Sequence, residues 1–189
     1  MNLLRSRRST ICFAVGLGCM LVLVPPIRAQ TFVEFGGGWN YIAPAPYLDG
    51  YSHGLNLRLS LGWKLSNRLR FRIDGFTSQF ADSLRIISPE GLANARIATV
   101  NVTGLTANWL LSLDPHDIVY VIGGAGFYDA SGRPGLHEDG LNVGLSAGAG
   151  IRVPISTRLR AFVEARDHVM LGQGSQPPWI APITIGFRY

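Results

Sequence analysis

The chain has 189 residues, a formal net charge of +5 and two cysteines. Without residues 1–29, which contain Cys12 and Cys19, it keeps 13 basic and 12 acidic residues, a net charge of +1. A charge this close to zero gives no support for a nucleic-acid partner, and a mature chain without cysteine excludes disulfides and thiol chemistry.

Residues 1–29 have the features of a secretory signal peptide. Arg5, Arg7 and Arg8 precede an apolar run from Ile11 to Val24, and a proline pair and Ala29 follow it. The run is shorter than the roughly 20 residues that a membrane-spanning helix needs. We therefore predict cleavage after Ala29 and one barrel domain over residues 30–189. Acylation at Cys19, as in a lipoprotein, is the less favoured alternative, because Gly16 stands where leucine is usual and the apolar stretch continues past the cysteine.

Beyond residue 29, apolar and polar residues alternate with a period close to two, which predicts β-strands. The pattern is cleanest at about 55–64, 68–74, 141–153 and 158–166, although Phe162 breaks it in the last of these. In the first of them, Leu55, Leu57, Leu59, Leu61 and Trp63 alternate with Asn56, Arg58, Ser60, Gly62 and Lys64.

Four further strands are predicted near 31–41, 97–112, 117–128 and 179–189, which brings the total to eight. In the second of these, Val100 and Val102 fall on the wrong parity, and a β-bulge would explain the shift. The segment 117–128 is apolar or glycine on both parities, so its two faces remain unassigned.

The links between these strands alternate in length. Those at 65–67, 113–116 and 154–156 are short, and those at about 42–52, 78–96, 129–139 and 168–178 are longer. An up-and-down membrane barrel has short turns on the periplasmic side and longer loops outside. We therefore predict an all-β fold, an eight-stranded antiparallel transmembrane β-barrel that follows a signal peptide.

Alternation alone does not reveal which parity faces inward, because a soluble lipocalin-type barrel has apolar residues inside. Here the polar parity is rich in glycine and serine, which suit the crowded lumen of a small barrel. Lys64 is the single lysine of the chain. Aromatic residues gather near strand ends, where the interfacial girdles of a membrane barrel lie: Trp39, Tyr41, Trp63, Trp109 and Trp179.

Charged residues on the polar parity should also face the lumen, because an arginine facing lipid near the midplane costs roughly 2–4 kcal/mol. We predict a lumenal charge network of acidic and basic side chains: Glu34, Asp74 and Glu164 with Arg58, Arg70, Arg72, Arg160 and Arg166. The alternative is that these charges fill a solvated lumen and have no role beyond stability.

The last predicted strand places Ile183, Ile185, Phe187 and the terminal Tyr189 on one face. This pattern resembles the C-terminal assembly signal of bacterial outer-membrane barrels. With the eight strands, residues 31–189 resemble the OmpA/OmpX-type small barrels of the outer-membrane β-barrel domain family. The resemblance implies contact with outer-membrane lipid in a Gram-negative-type bacterium and insertion by the barrel-assembly machinery. It implies no particular substrate or extracellular partner.

We find no pattern typical of catalysis, cofactor binding or metal binding. An outer-membrane lipid-modifying enzyme of the deacylase type would use a His-x-Ser pair, and none of the four histidines, His53, His116, His137 and His168, has it. His137, Glu138 and Asp139 match no metal-ligand spacing. We expect His168 to be a solvated loop residue.

The favoured function is therefore a non-enzymatic outer-membrane barrel with a structural or surface-interaction role in the cell envelope. Three alternatives stay open: a narrow porin-like passage, a lipocalin-like ligand-binding barrel and a lipid-modifying enzyme. Eight strands leave an interior just wide enough for side chains, which disfavours an open channel. The Gly-x-Trp of Gly37–Trp39 is the feature that keeps the lipocalin reading open.

Overall fold

The computed structural model describes residues 30–42, 53–81, 99–131, 141–171 and 179–189, which form eight β-strands. The strands are β1 (Gln30–Ile42), β2 (His53–Lys64), β3 (Leu69–Ala81), β4 (Thr99–Ser112), β5 (Val119–Ser131), β6 (Leu141–Pro154), β7 (Arg160–Leu171) and β8 (Trp179–Arg188). Each strand pairs antiparallel with the next, and β8 pairs with β1, so the sheet closes into a barrel. This confirms the predicted eight-stranded antiparallel barrel. The predicted signal peptide and lipoprotein cysteine lie outside the described residues.

The closed sheet is strongly staggered. A path that follows paired residues once around the barrel from Phe32 returns to β1 at Ile42, ten residues further along. A stagger of this kind tilts the strands against the barrel axis. With eight strands it leaves an interior that side chains can fill.

The two rims of the barrel differ in their connections. The turns 65–68, 113–118 and 155–159 lie at one rim, which we call the short-turn end, together with the first residue of β1 and the last residue of β8. The links 43–52, 82–98, 132–140 and 172–178 join strands at the other rim, the long-link end. This alternation agrees with the sequence prediction, although β3, β5 and β7 extend into the predicted long links, to Ala81, Ser131 and Leu171.

Local side-chain hydrogen bonds fix the short turns. The hydroxyls of Ser66 and Ser156 accept hydrogen bonds from the backbone N–H groups two and three residues further along, at 3.0–3.4 Å. Asp114 does the same in the third turn for the N–H groups of His116, Ile118 and Val119, at 2.6–2.8 Å. Short polar side chains favour turns by this mechanism.

The outer surface of the barrel is apolar. Leu55, Leu57 and Leu59 are 61–65% exposed, whereas the neighbouring Arg58 is 7% exposed and lies inside. This is the inverse of the lipocalin arrangement. Among the described residues, no helix has the length and apolar character needed to cross a bilayer.

The predicted bulge in β4 was wrong. The register between β3 and β4 runs without interruption from Leu69–Leu111 to Ala81–Thr99. Val102 is buried on the inner face because the lumen itself is apolar at that level. Phe162, which broke the pattern in β7, is buried inside for the same reason, at 1% exposure.

An apolar cluster fills the lumen toward the long-link end, and we call it the apolar plug. Its members are Phe76, Phe80, Val102, Tyr128, Met170 and Ile180. In β5, Tyr120, Ile122 and Tyr128 face inward, whereas Val121 and Phe127 face outward, which assigns the faces left open by the sequence. A smaller apolar cluster, Leu110, Tyr120 and Ile122, lies beside the 113–118 turn. The buried charges thus lie in the half of the lumen at the short-turn end, which we call the charged half, and the apolar plug lies in the half at the long-link end.

Inward aromatic rings cover inward glycines on neighbouring strands. In four directly paired couples, one strand contributes the ring and the next the glycine: Phe32–Gly62, Phe76–Gly104, Tyr120–Gly150 and Phe162–Gly186. At each of these glycines an added Cβ would overlap the partner ring. The glycines thus provide the space into which the rings pack.

Candidate functional site in the barrel lumen

Three carboxylates and three arginines form a compact group in the charged half, which we call the central cluster. Its members are Glu34, Asp74, Glu164, Arg58, Arg72 and Arg166. Arg72 lies at its centre and is fully buried. The guanidinium contacts three carboxylates, with Nη1 2.5 Å from Glu34 Oε2 and Nε 2.7 Å from Asp74 Oδ1. Its Nη2 lies 3.0 Å from Glu164 Oε2.

Glu164 is the most heavily bonded carboxylate of this cluster. Arg58 and Arg166 both donate to Oε1, the second at 2.5 Å, and the Tyr120 hydroxyl donates to Oε2 at 2.8 Å. Arg166 also reaches Asp74 at 2.7 Å. With three positive and three negative charges, the central cluster is balanced, as a buried ionic group must be to offset its desolvation cost.

A second group, the mouth cluster, lies where the lumen opens at the short-turn end. Here Asp117 is surrounded by four arginines: Arg70 at 2.5 Å, Arg152 at 3.0 Å, Arg160 at 2.9 Å and Arg188 at 3.8 Å. Arg152 also lies 3.4 Å from Glu34 Oε1 and so joins the two clusters. One carboxylate facing four guanidinium groups leaves the mouth cluster with an excess of three positive charges.

Burial of Asp117 acts to raise the pKa of its carboxyl, but the guanidinium of Arg152, the hydroxyl of Ser112 and the other arginines outweigh it and hold the pKa below its usual value. Asp117 also adopts a backbone φ of 60°. Aspartate and asparagine tolerate this left-handed conformation better than most residues. Asp117 therefore remains ionised at neutral pH in a turn whose geometry suits it.

The predicted lumenal residues fall into both clusters. Glu34, Arg58, Arg72, Asp74, Glu164 and Arg166 make up the central cluster, whereas Arg70 and Arg160 contact Asp117 instead. Arg160 is also less enclosed than the others, with 36% of its side chain exposed. Sequence reasoning missed Asp117, Arg152, Arg188 and Tyr120. The sequence did indicate that Arg152 faces the lumen, because it lies on the same parity as the glycines and serines of β6. Asp117 belongs to a turn, where parity does not predict the direction of a side chain.

His168 lies inside the barrel, so the prediction of a solvated loop residue was wrong. β7 continues to Leu171, and His168 is 3% exposed, with Nδ1 3.0 Å from the Tyr128 hydroxyl. Ser146, which pairs with His168 in the register between β6 and β7, donates a hydrogen bond from its hydroxyl to Asn108 Oδ1 at 2.9 Å.

The side chains of His53 and residues 137–139 lie outside the described part of the structure. Within the described part, no group of three or more histidine, aspartate or glutamate side chains is arranged so that it could hold a metal ion.

The cavities match a filled lumen. A void of about 10 Å³ lies beside Arg58, Arg166 and His168, which is room for one water molecule. A much larger groove, of about 560 Å³, lies on the outer surface, where Trp39, Leu57 and Gln79 are among its lining residues. Of these two cavities, the large one therefore lies outside the barrel, and the one in the lumen is the size of a water molecule.

The predicted interfacial aromatics occupy both ends of the outer surface. Trp39, Tyr41 and Trp179 are exposed toward the long-link end. Trp109 lies toward the short-turn end, where the Phe71 ring is 5.1 Å from Trp109 and 6.0 Å from Trp63. The four residues of the predicted assembly signal, Ile183, Ile185, Phe187 and Tyr189, all face outward on the strand that closes the barrel. Recognition of that strand by assembly machinery stays a prediction.

No protein-family model and no curated protein matches the chain. Solved structures do. Neisserial surface protein A aligns with a TM-score of 0.61 at 15% identity, over 86% of this chain and 98% of that one. The attachment invasion locus protein Ail of Yersinia pestis, in complex with the heparin analogue sucrose octasulfate, aligns with a TM-score of 0.51 at 13% identity, over 86% of this chain and all of that one. The chain has the fold of the small eight-stranded outer-membrane β-barrels.

Proposed function

We propose that this protein is a non-enzymatic barrel of the outer membrane of a Gram-negative-type bacterium, with a structural or surface-interaction role in the envelope. The observation that carries the proposal is the apolar outer wall, with exposed leucines such as Leu57 between aromatic residues at both ends. A surface of this kind would be costly in water and is stable against hydrocarbon. Export through the signal peptide and insertion by the barrel-assembly machinery belong to the same proposal.

The filled lumen supports a structural role over transport. The central cluster closes the charged half, the apolar plug closes the other half, and the void near His168 is the size of a single water molecule. Movement of solutes through the barrel would require the buried ion pairs to separate, which is strongly unfavourable. We therefore do not assign a porin-like function.

A surface role is supported by the concentration of the four longer links at one rim. Loops held on a rigid barrel are well suited to contact partners. The similar fold of Ail, which was crystallised with a heparin analogue, supports the idea that such a barrel can serve as a platform for binding at its surface.

Cell fractionation of the full chain, expressed in a Gram-negative host, tests this proposal. We expect the protein in the outer-membrane fraction, processed at its N-terminus, and we expect faster electrophoretic migration of unheated than of heated samples. Recovery as a detergent-free soluble protein would overturn it. Purified protein in planar bilayers should produce no regular conductance steps, and stable steps would favour the porin-like alternative.

A further inference from the structure

We propose that the mouth of the lumen at the short-turn end binds one phosphate or carboxylate group through the guanidinium groups of Arg160 and Arg188. The first support is the charge imbalance of the mouth cluster. The three excess positive charges lie around one carboxylate, in contrast to the balanced central cluster further inside. An added anion would offset this repulsion.

The second support is the exhausted hydrogen-bonding capacity of Asp117. Its Oδ1 accepts from Ser112 at 2.6 Å and from Arg152 at 3.0 Å, and its Oδ2 accepts from Arg70 and from Arg160 at 2.9 Å. A carboxylate offers about four acceptor positions, so all of them are in use. Arg188 therefore cannot be satisfied by Asp117, and its Nη1 lies 3.8 Å away with no hydrogen bond within the described residues.

Arg188 is also held in place for binding. Its guanidinium stacks on the Phe32 ring at 3.7 Å, and 13% of its side chain is exposed. Arg160 reaches the same mouth and is 36% exposed. Both side chains are partly exposed, and the guanidinium of Arg188 is fixed by the Phe32 ring and that of Arg160 by Asp117. Together they can donate several hydrogen bonds to one anion in the planar geometry that phosphate and carboxylate favour.

The field around the mouth attracts anions as well. Lys64, Arg68 and Arg158 lie at the same rim, where Asp114 shares the 113–118 turn with Asp117. Charges in this arrangement raise the local concentration of anions. The site is a property of the folded barrel itself. The proposed membrane location matters only for the source of the anion, that is, whether a lipid headgroup supplies it.

The test is an NMR titration of the arginine Nε–H signals of the refolded protein in alkyl maltoside micelles, which contain no phosphate. Inorganic phosphate should produce saturable shifts of Arg160 and Arg188 that sodium chloride at equal ionic strength does not produce. Arg160→Gln or Arg188→Gln should weaken binding by roughly tenfold each, since hydrogen bonds between charged groups contribute this much or more. Arg68→Gln, an exposed turn arginine at the same rim, serves as the charge-matched control. It removes one charge of the surrounding field but no donor of the proposed site, so affinity should fall by about twofold or less, because exposed charges are screened by salt.

Asp117→Asn gives a prediction of the opposite sign. Removal of the resident carboxylate frees its guanidinium partners, so phosphate should bind more tightly than to wild type. Affinity that is unchanged in Asp117→Asn and in both arginine variants would overturn the proposal, as would the absence of saturable shifts in the wild type.

A second arm identifies the source of the anion. In phosphate-free buffer, nanodiscs of phosphatidylcholine are compared with discs that contain phosphatidylglycerol. Shifts of Arg160 and Arg188 with the anionic lipid support a headgroup ligand, and shifts with free phosphate alone support a soluble one. Failure of the barrel to insert into discs would count against the proposed membrane location, while the micelle titration still decides the anion site.

Discussion

At the scale of single residues, the balance of buried charge decides which side chains matter most. Arg72 and Glu164 are within 1% of complete burial, and each contacts several opposite charges. Removing one member of a buried ion pair leaves the charge of the other uncompensated. The resulting loss of stability is much larger than the net stabilisation that the intact pair provides. Each charged side chain of the central cluster is therefore needed to compensate the buried charges of the others.

Glu164→Gln should lower the free energy of unfolding by about 3–5 kcal/mol, because it leaves three arginines with two carboxylates in a buried group. Urea titration in lipid vesicles, followed by tryptophan fluorescence, measures this change. Asp129→Asn, on the exposed outer face of β5, removes the same charge and should change stability by about 0.5 kcal/mol or less. Equal stability of the two variants would show that the central cluster is solvated filling with no stabilising role.

Asp117 makes stability depend on pH in a specific direction. Its pKa in the folded protein lies below the ordinary value of 3.8, so its contribution is present above that pH and is lost as the pH falls through the folded pKa. Wild type should thus exceed Asp117→Asn in unfolding free energy at pH 7, and the difference should shrink below about pH 4. Asparagine tolerates the positive φ, so the substitution does not strain the backbone of the turn. A difference that stays constant between pH 7 and pH 2 would contradict this account.

At the scale of the strand, the paired ring and glycine are the packing unit of the lumen. Gly62 and Gly150 face inward opposite Phe32 and Tyr120, and a methyl group at either position would overlap the ring. Gly75 faces outward, and an added Cβ there would meet its nearest neighbour, the Leu59 carbonyl oxygen, at 3.9 Å. Inward and outward glycines thus serve different purposes in the same sheet.

Gly62→Ala and Gly150→Ala should each destabilise the barrel by roughly 1–3 kcal/mol, the usual cost of overpacking a filled interior. Gly75→Ala is the matched control and should be neutral or slightly stabilising, because alanine loses less backbone entropy than glycine on folding. Urea midpoints of the three variants in the same vesicles provide the comparison. If Gly75→Ala were as harmful as the inward changes, ring packing would not be the cause.

The strands also show which inward and outward faces could be predicted from the sequence alone. Over residues 54–64 of β2 and 141–153 of β6, every inward residue is polar, charged or glycine and every outward residue is apolar, so period-two alternation was sufficient. In β4, Val102 lies inside the apolar plug, and the change of parity was mistaken for a bulge. In β5, Tyr120 and Ile122 face inward beside outward Val121. Where both faces of a strand are apolar, alternation cannot distinguish them, and only closure of the barrel decides.

The residues of the candidate site were predictable only where they lie on strands with clean period-two alternation. Arginines on a clean polar parity, such as Arg58 and Arg72, were identified from alternation. The division into two clusters was not, because it depends on strand stagger, which brings Asp117 from a turn against Arg70, Arg160 and Arg188 from three different positions in the chain. Long-range register of this kind is not encoded in any local pattern.

At the scale of the whole molecule, the barrel is organised with its charge inside and its apolar surface outside. The interior ion pairs need the barrel to be closed, since they would be solvated in an open sheet. The leucine-rich exterior needs a hydrocarbon solvent, since exposed apolar surface of this extent promotes aggregation in water. Closure of the barrel and its proposed insertion into a membrane are therefore linked, and a charged substitution on the outer surface tests the proposed insertion.

Leu59→Arg places a charge near the middle of β2 on the outer face, where Leu59 is 63% exposed. If that face contacts hydrocarbon, the variant should lose roughly 2–4 kcal/mol of stability in vesicles, because arginine at the bilayer midplane carries this cost. Ile155→Arg is the control, since Ile155 lies in a short turn and is similarly exposed at 56%. There the cost should fall to about 0–1 kcal/mol, as for arginine near the interface. If the barrel instead worked in water, Leu59→Arg would improve solubility without loss of stability and would match Ile155→Arg, so the ranking of these two variants separates a membrane exterior from an aqueous one.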